Sequence, residues 1–149
     1  MSATRISVWE SPQLQATILA LNGMDKELAA QVRKATRSVT EAEWRTAMSA
    51  HASTRIEHSV MVRSARVTVS NQNITLKAGG MSTRHHGGGR TYELFAGTEF
   101  GSKRFPQFKA RKRSGYVFFP ATADVVPRFA ALWVSTMIRT LHEAFEGGP

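Results

Sequence analysis

Five histidines, eleven carboxylates and no cysteine are the groups this chain has for metal or covalent chemistry. His85 and His86 are neighbours in a glycine-rich stretch, where two adjacent rings cannot easily turn toward one ion. No Asp or Glu lies between Glu57 and Glu93 to complete a coordination shell. His51 and His58 show no metal-ligand spacing and read as structural or exposed. The run Gly87-Gly-Gly-Arg90 lacks the Lys-Ser/Thr that follows a phosphate loop, and no strand-before, helix-after context surrounds it. No Gly-x-Ser-x-Gly elbow occurs, and the scattered carboxylates assemble no Ser, His and acid grouping. Without cysteine there is no thiol nucleophile, thiolate zinc site or disulfide framework. The expectation is therefore a protein that is not an enzyme, with no catalytic, cofactor-binding or metal residues.

The cations are more informative. Twenty Lys and Arg against eleven acids leave the 149 residues with a net charge of +9. The surplus sits in two windows without acids. Between Glu57 and Glu93 lie Arg63, Arg66, Lys77, Arg84 and Arg90; between Glu99 and Asp124 lie Lys103, Arg104, Lys109, Arg111, Lys112 and Arg113. The rest of the chain holds nine cations and all eleven acids, a balance of −2. In the second window Phe105, Phe108 and Tyr116 interleave with the cations, a composition suited to phosphates plus stacked bases, or to an acidic protein neighbour. Arg84, Arg90 and the six cations of the second window are thus candidates for contact with DNA or an acidic partner. No zinc-finger, helix-turn-helix or RNA-recognition pattern accompanies them.

The elements that must position these groups follow from periodicity. One domain is expected over residues 1–149, a length that buries a proper core without staples. Residues 11–50 read as helical. Pro12, Leu14, Ile18 and Leu21 precede an Asn22-Gly23 break, after which Leu28, Val32, Ala35, Val39 and Ala42 form a stripe with Trp44 and Met48 off it, facing something else. Over 58–119 the period shifts toward two. Strands are expected at Val60-Val62, Val67-Val69, Ile74-Leu76, Tyr92-Ala96 and Tyr116-Phe119, with a hairpin turn at Ser70–Asn73. A flexible loop (79–90) and a basic arm (103–113) interrupt them. A last helix is expected over 124–146, capped by Asp124, with Phe129, Trp133, Met137, Leu141 and Phe145 recurring every four residues. Leu132, Val134 and Ile138 widen its apolar surface beyond one core face, which points to self-association. The fold class is α+β: N-terminal helices and a C-terminal helix on a mainly antiparallel sheet with long loops. Neither a secretory apolar run near the start nor a membrane-spanning run elsewhere is present in the sequence, and synthesis in the cytoplasm is expected.

Helices, a hairpin, then Glu99-Phe100-Gly101-Ser102, then Pro120-Ala121 before a terminal amphipathic helix, together resemble the small neck and tail-completion (head-tail joining) proteins of long-tailed bacteriophages. In that family a strand ends in an acid-aromatic-Gly-Ser/Thr motif, and a Pro-containing aromatic loop and a Pro-Ala step lead to the last helix. The resemblance implies a non-enzymatic virion protein forming a homo-oligomeric ring between head connector and tail. Its partners would be its own copies, the neighbouring connector, stopper and tail proteins, and passing double-stranded DNA. The arm would then pack on an adjacent subunit through Phe105, Phe108, Tyr116 and Phe118, with Trp133 at the apolar subunit interface. A tail-terminator ring is the neighbouring reading; a small basic nucleic-acid-binding module is the alternative from a different class.

Overall fold

The computed structural model describes residues 2–7, 22–23, 25–70, 73–80 and 89–146. The helix expected over 11–21 and the residues Arg84, His85 and His86 lie outside the described residues. The fold is α+β, as expected.

Helix α1 spans Lys26–His51. Its buried line runs Ala29, Val32, Thr36, Thr40 and Trp44 in steps of three or four and ends on the adjacent pair Ala47 and Met48, three and four beyond Trp44, so that all lie toward one side. The expected stripe is rotated from this line: Val32 is buried, but Ala35 and Val39 are half-buried and Ala42 is exposed. Two threonines account for the shift. Thr40 donates its hydroxyl to the Thr36 carbonyl (2.7 Å), so it can be buried without seeking water. Trp44 and Met48 therefore face inward, fully buried, rather than toward a second partner.

The chain then turns through α2 (Arg55–Glu57) into a π-helical turn, His58–Val62, where a strand was expected. The cause is local. Thr54 and Glu57 form a capping box that launches a helical turn, and this buries Val60 and Met61 next to each other rather than alternately. The Ser64 hydroxyl closes the turn by donating to the Val60 carbonyl and accepts the Gly79 N–H (2.7 Å).

Strands β2 (Arg66–Val69) and β3 (Asn73–Ala78) make the expected hairpin, pairing Val67 with Leu76 and Val69 with Ile74. The Ser2–Ser7 segment adds β1, antiparallel on the other edge of β3, with Ser2 opposite Ala78; the sheet order is β1-β3-β2. Ile74, Leu76 and Ala78 alternate onto the buried face beneath α1. The Trp44 indole N–H donates to the Lys77 carbonyl (3.1 Å), and the Glu41 carboxylate accepts the Val67 N–H (3.3 Å), so α1 is tied to the sheet by polar as well as apolar contacts.

Two further strands of the sequence reading are helical. Thr91–Phe100 is helix α3: its buried set is Thr91, Phe95, Thr98 and Glu99, a helical spacing, while of the alternating residues Tyr92 and Ala96 are exposed and Leu94 packs partly against the core. Phe118–Glu146 is a single 29-residue helix, α4, which takes in Phe118 and Phe119 of the expected Tyr116-Phe119 strand and begins six residues before Asp124. Pro120 is accommodated because it lies in the first turn, where an N–H has no intrahelical partner. α4 runs antiparallel to α1. His51 Nε2 lies 2.6 Å from Asp124 Oδ2, and Arg128 pairs with Glu43 at 3.7 Å, placing the start of α4 beside the end of α1. Phe118 is the hub of the core, edge-on to Trp44 (5.4 Å) and to Phe95 (5.8 Å).

Candidate assembly site: a basic arm clamped at its root

Nothing in the sequence immediately before Phe118 caps α4; the cap comes from α3. The Glu99 side chain, fully buried, accepts the Val117 N–H (3.2 and 3.1 Å to its two oxygens), the Phe118 N–H (2.8 Å) and the Phe119 N–H (3.0 Å). A carboxylate at that place satisfies donors that a helix start leaves free and lies against the positive end of the helix dipole. This offsets the cost of burying it. Gly115 makes room: its φ is +83°, and a Cβ there would stand 2.5 Å from Glu99 Oε1.

Between Glu99 and Tyr116 the chain makes an excursion whose two limbs are stitched together. The Tyr116 N–H donates to the Glu99 carbonyl (2.9 Å), the Lys112 N–H to the Phe100 carbonyl (2.7 Å), and the Ser102 N–H to the Lys109 carbonyl (2.9 Å). Gly101, at φ +75°, turns the chain out of α3; a Cβ there would stand 2.3 Å from the Ala110 carbonyl oxygen. The basic arm is thus an irregular loop held closed at its base.

A second lock ties the arm to the subunit. Glu57, also buried, accepts at one oxygen the Ser53 N–H (2.9 Å), the Ser53 hydroxyl (3.1 Å) and the Thr54 N–H (3.0 Å), and the same oxygen lies 3.1 Å from Lys109 Nζ. Lys109 also donates to Ser53 Oγ (2.7 Å) and sits over the Tyr116 ring (4.8 Å). Burial alone would push the Glu57 carboxyl up; the Ser53 N–H, the Lys109 side chain and the Thr54 N–H outweigh it and hold the carboxyl below its ordinary value.

The candidate residues therefore divide. Phe118 and Trp133 are buried within the chain and present no surface to a neighbour. Tyr116 is half-buried, its hydroxyl donating to the Ala110 carbonyl (2.6 Å), and it serves as the platform for Lys109 and Lys112. Lys109 is committed to Glu57. Phe108 packs on α3, so close that a Cβ on Gly97 would stand 2.5 Å from its ring, and Phe105 lies edge-on to it, half-exposed. Lys103, Arg104, Arg111, Lys112 and Arg113 are exposed. Arg90, half-buried, stands at the start of α3, away from the arm's cluster in sequence.

An open cleft of about 700 Å³ separates α3 from the arm, floored by Leu94, Gly97, Phe100 and Phe108. Lys103, Arg104 and Arg111 line its arm side. Its lining sets an apolar floor beside cations, with Glu93 on the α3 side.

The sequence reading assigned no structural contact to Glu57 or to Glu99, which entered it only as part of a motif. The Thr54-x-x-Glu57 spacing of a capping box was the available sign for the first; the second depends on a contact eighteen residues away in sequence. Among the described residues no helix is long and apolar enough to cross a membrane. Compared with protein-family models, with curated proteins and with solved structures, the chain gives no match.

Proposed function

We propose that the chain is a structural protein of the virion neck of a long-tailed bacteriophage, made in the host cytoplasm and assembling as a homo-oligomeric ring that joins the head connector to the tail. The observation that carries this reading is the meeting in space of the two motifs behind the resemblance. Glu99, from Glu99-Phe100-Gly101-Ser102, a motif that here ends a helix rather than the strand of that family, caps the first turn of the helix that contains Pro120-Ala121. What lies between them is displayed as an arm. An arm of exposed cations with Phe105 at its surface, held closed at its base, suits assembly, because a preformed arm lowers the ordering cost of association. The role requires no catalytic group. Its partners are further copies of the chain, the neighbouring connector, stopper and tail proteins, and double-stranded DNA touched without sequence readout.

Light scattering on the eluting protein and negative-stain imaging test this reading. Rings, formed alone or on mixing with the other neck proteins, are expected. A monomer or dimer that forms no ring under either condition and binds any duplex with a steep salt dependence would instead make it a basic nucleic-acid-binding module.

A further inference from the structure

The cleft between α3 and the arm has a lining that specifies its occupant. An apolar floor at Leu94, Phe100 and Phe108 calls for a large apolar side chain, and Arg104 and Arg111 call for carboxylates beside it. Glu93 stands on the α3 side, so the attraction for an acid is concentrated on the arm. The chain itself carries a matching feature. In the last turn of α4, Phe145 is 81% exposed, the most exposed of the large apolar side chains among the described residues, with exposed Glu146 next to it. Ile138, 59% exposed, lies two turns earlier on the same face.

No copy can fill its own cleft. α3 packs against the first residue of α4, with the Phe95 and Phe118 rings 5.8 Å apart. Phe145 lies 27 residues further along the same helix, about 40 Å away at 1.5 Å per residue. Cleft and knob thus sit near opposite ends of one long helix, which carries Pro127 in its interior, an arrangement that generates head-to-tail contacts and, where the rotation closes, rings.

Resting on the ring reading above, we propose that the last turn of α4 of one copy seats in the α3–arm cleft of the next. Phe145 lies on Phe100 and Phe108, and Glu146, the next residue around the helix, faces Arg104 and Arg111. Glu146, 3.0 Å from His142 within its own helix, exchanges or shares that partner on docking.

Two variants test the contact, one on each side: Arg104→Glu with Arg111→Glu, and Phe145→Ser with Glu146→Ala. All four positions are at the surface, and circular dichroism checks that the fold is kept. By analytical ultracentrifugation each variant alone should dissociate at a concentration at least ~10-fold above that of the unaltered chain. Mixed, the two variants retain one intact cleft and one intact knob between them, so they should form heterodimers that stop at two. Because the chain has no cysteine, Gln107→Cys in one copy and Glu146→Cys in another should cross-link when mixed and not separately. Variants that assemble like the unaltered chain, or a mixture that yields neither dimer nor cross-link, would overturn this contact while leaving rings intact. A cleft variant that assembles normally but loses affinity for short duplex DNA would overturn it in favour of a nucleic-acid surface. If the unaltered chain stays monomeric alone, the contact is also overturned, and the ring reading is decided separately by mixing with the other neck proteins.

Discussion

Glu99 and Glu57 are both buried and acidic, yet they hold different things. Glu99 is satisfied by backbone N–H groups of the next helix, so its removal leaves donors in the first turn of α4 without a partner. Glu99→Ala should lower stability by about 3 kcal/mol, read as a drop in the urea midpoint at unchanged slope. An unchanged midpoint would show that the cap contributes nothing. Glu57 instead holds a side chain of the arm, and its effect depends on pH. Its folded value is depressed, so its contribution is fully present above the ordinary carboxylate range and is lost as pH falls through the lower folded value. Acidification should therefore lower the exchange protection of the Ser102 and Lys112 amides, relative to their intrinsic rates at each pH, before the helices respond, and Glu57→Gln should remove that pH dependence. Global exchange with no arm-specific phase would contradict the lock.

At the scale of elements, the sequence was readable where burial follows hydrophobicity and misleading where it follows a distant contact. The Val67, Val69, Ile74 and Leu76 alternation marks a real hairpin because one face lies on α1 and the pattern has no competitor. Tyr92, Leu94 and Ala96 alternate too, but Thr91, Phe95, Thr98 and Glu99 take the inside, two of them threonines and one a carboxylate that hydropathy assigns to water. The early start of α4 was hidden for the same reason: its cap is eighteen to twenty residues upstream, not adjacent. The arm itself was legible, since cations, prolines and glycines do not pack as a ladder. Its closure was not, because backbone pairs such as Phe100 with Lys112 leave no mark in residue type. Deleting 103–113 together with Glu57→Gln, so that no buried carboxylate loses its cation, should leave the helical circular dichroism intact while abolishing ring assembly and head-to-tail joining. Normal joining by that deletion would dissociate the arm from assembly.

For the molecule as a whole, the charge balance acquires a location. The second acid-free window is carried by a loop that emerges near the junction of α3 and α4, while acids such as Glu143 and Glu146 lie at the far end of α4. Such separation makes each subunit polar along its long helix, and association through its ends should weaken as salt rises, with charge screening reaching about 10 Å at 0.1 M. Sedimentation across a salt series checks this; rings indifferent to salt would mean that apolar contacts alone hold them. The stitched base of the arm has a further consequence, for how such a protein can change over time. A loop whose ends are fastened to each other can gain or lose residues at its tip at little thermodynamic cost, roughly 0.6 kcal/mol for each doubling of length. Insertions around Pro106 and Gln107 should be accepted by the same core, so the tip is free to diversify with whatever it must grip while the scaffold stays as it is.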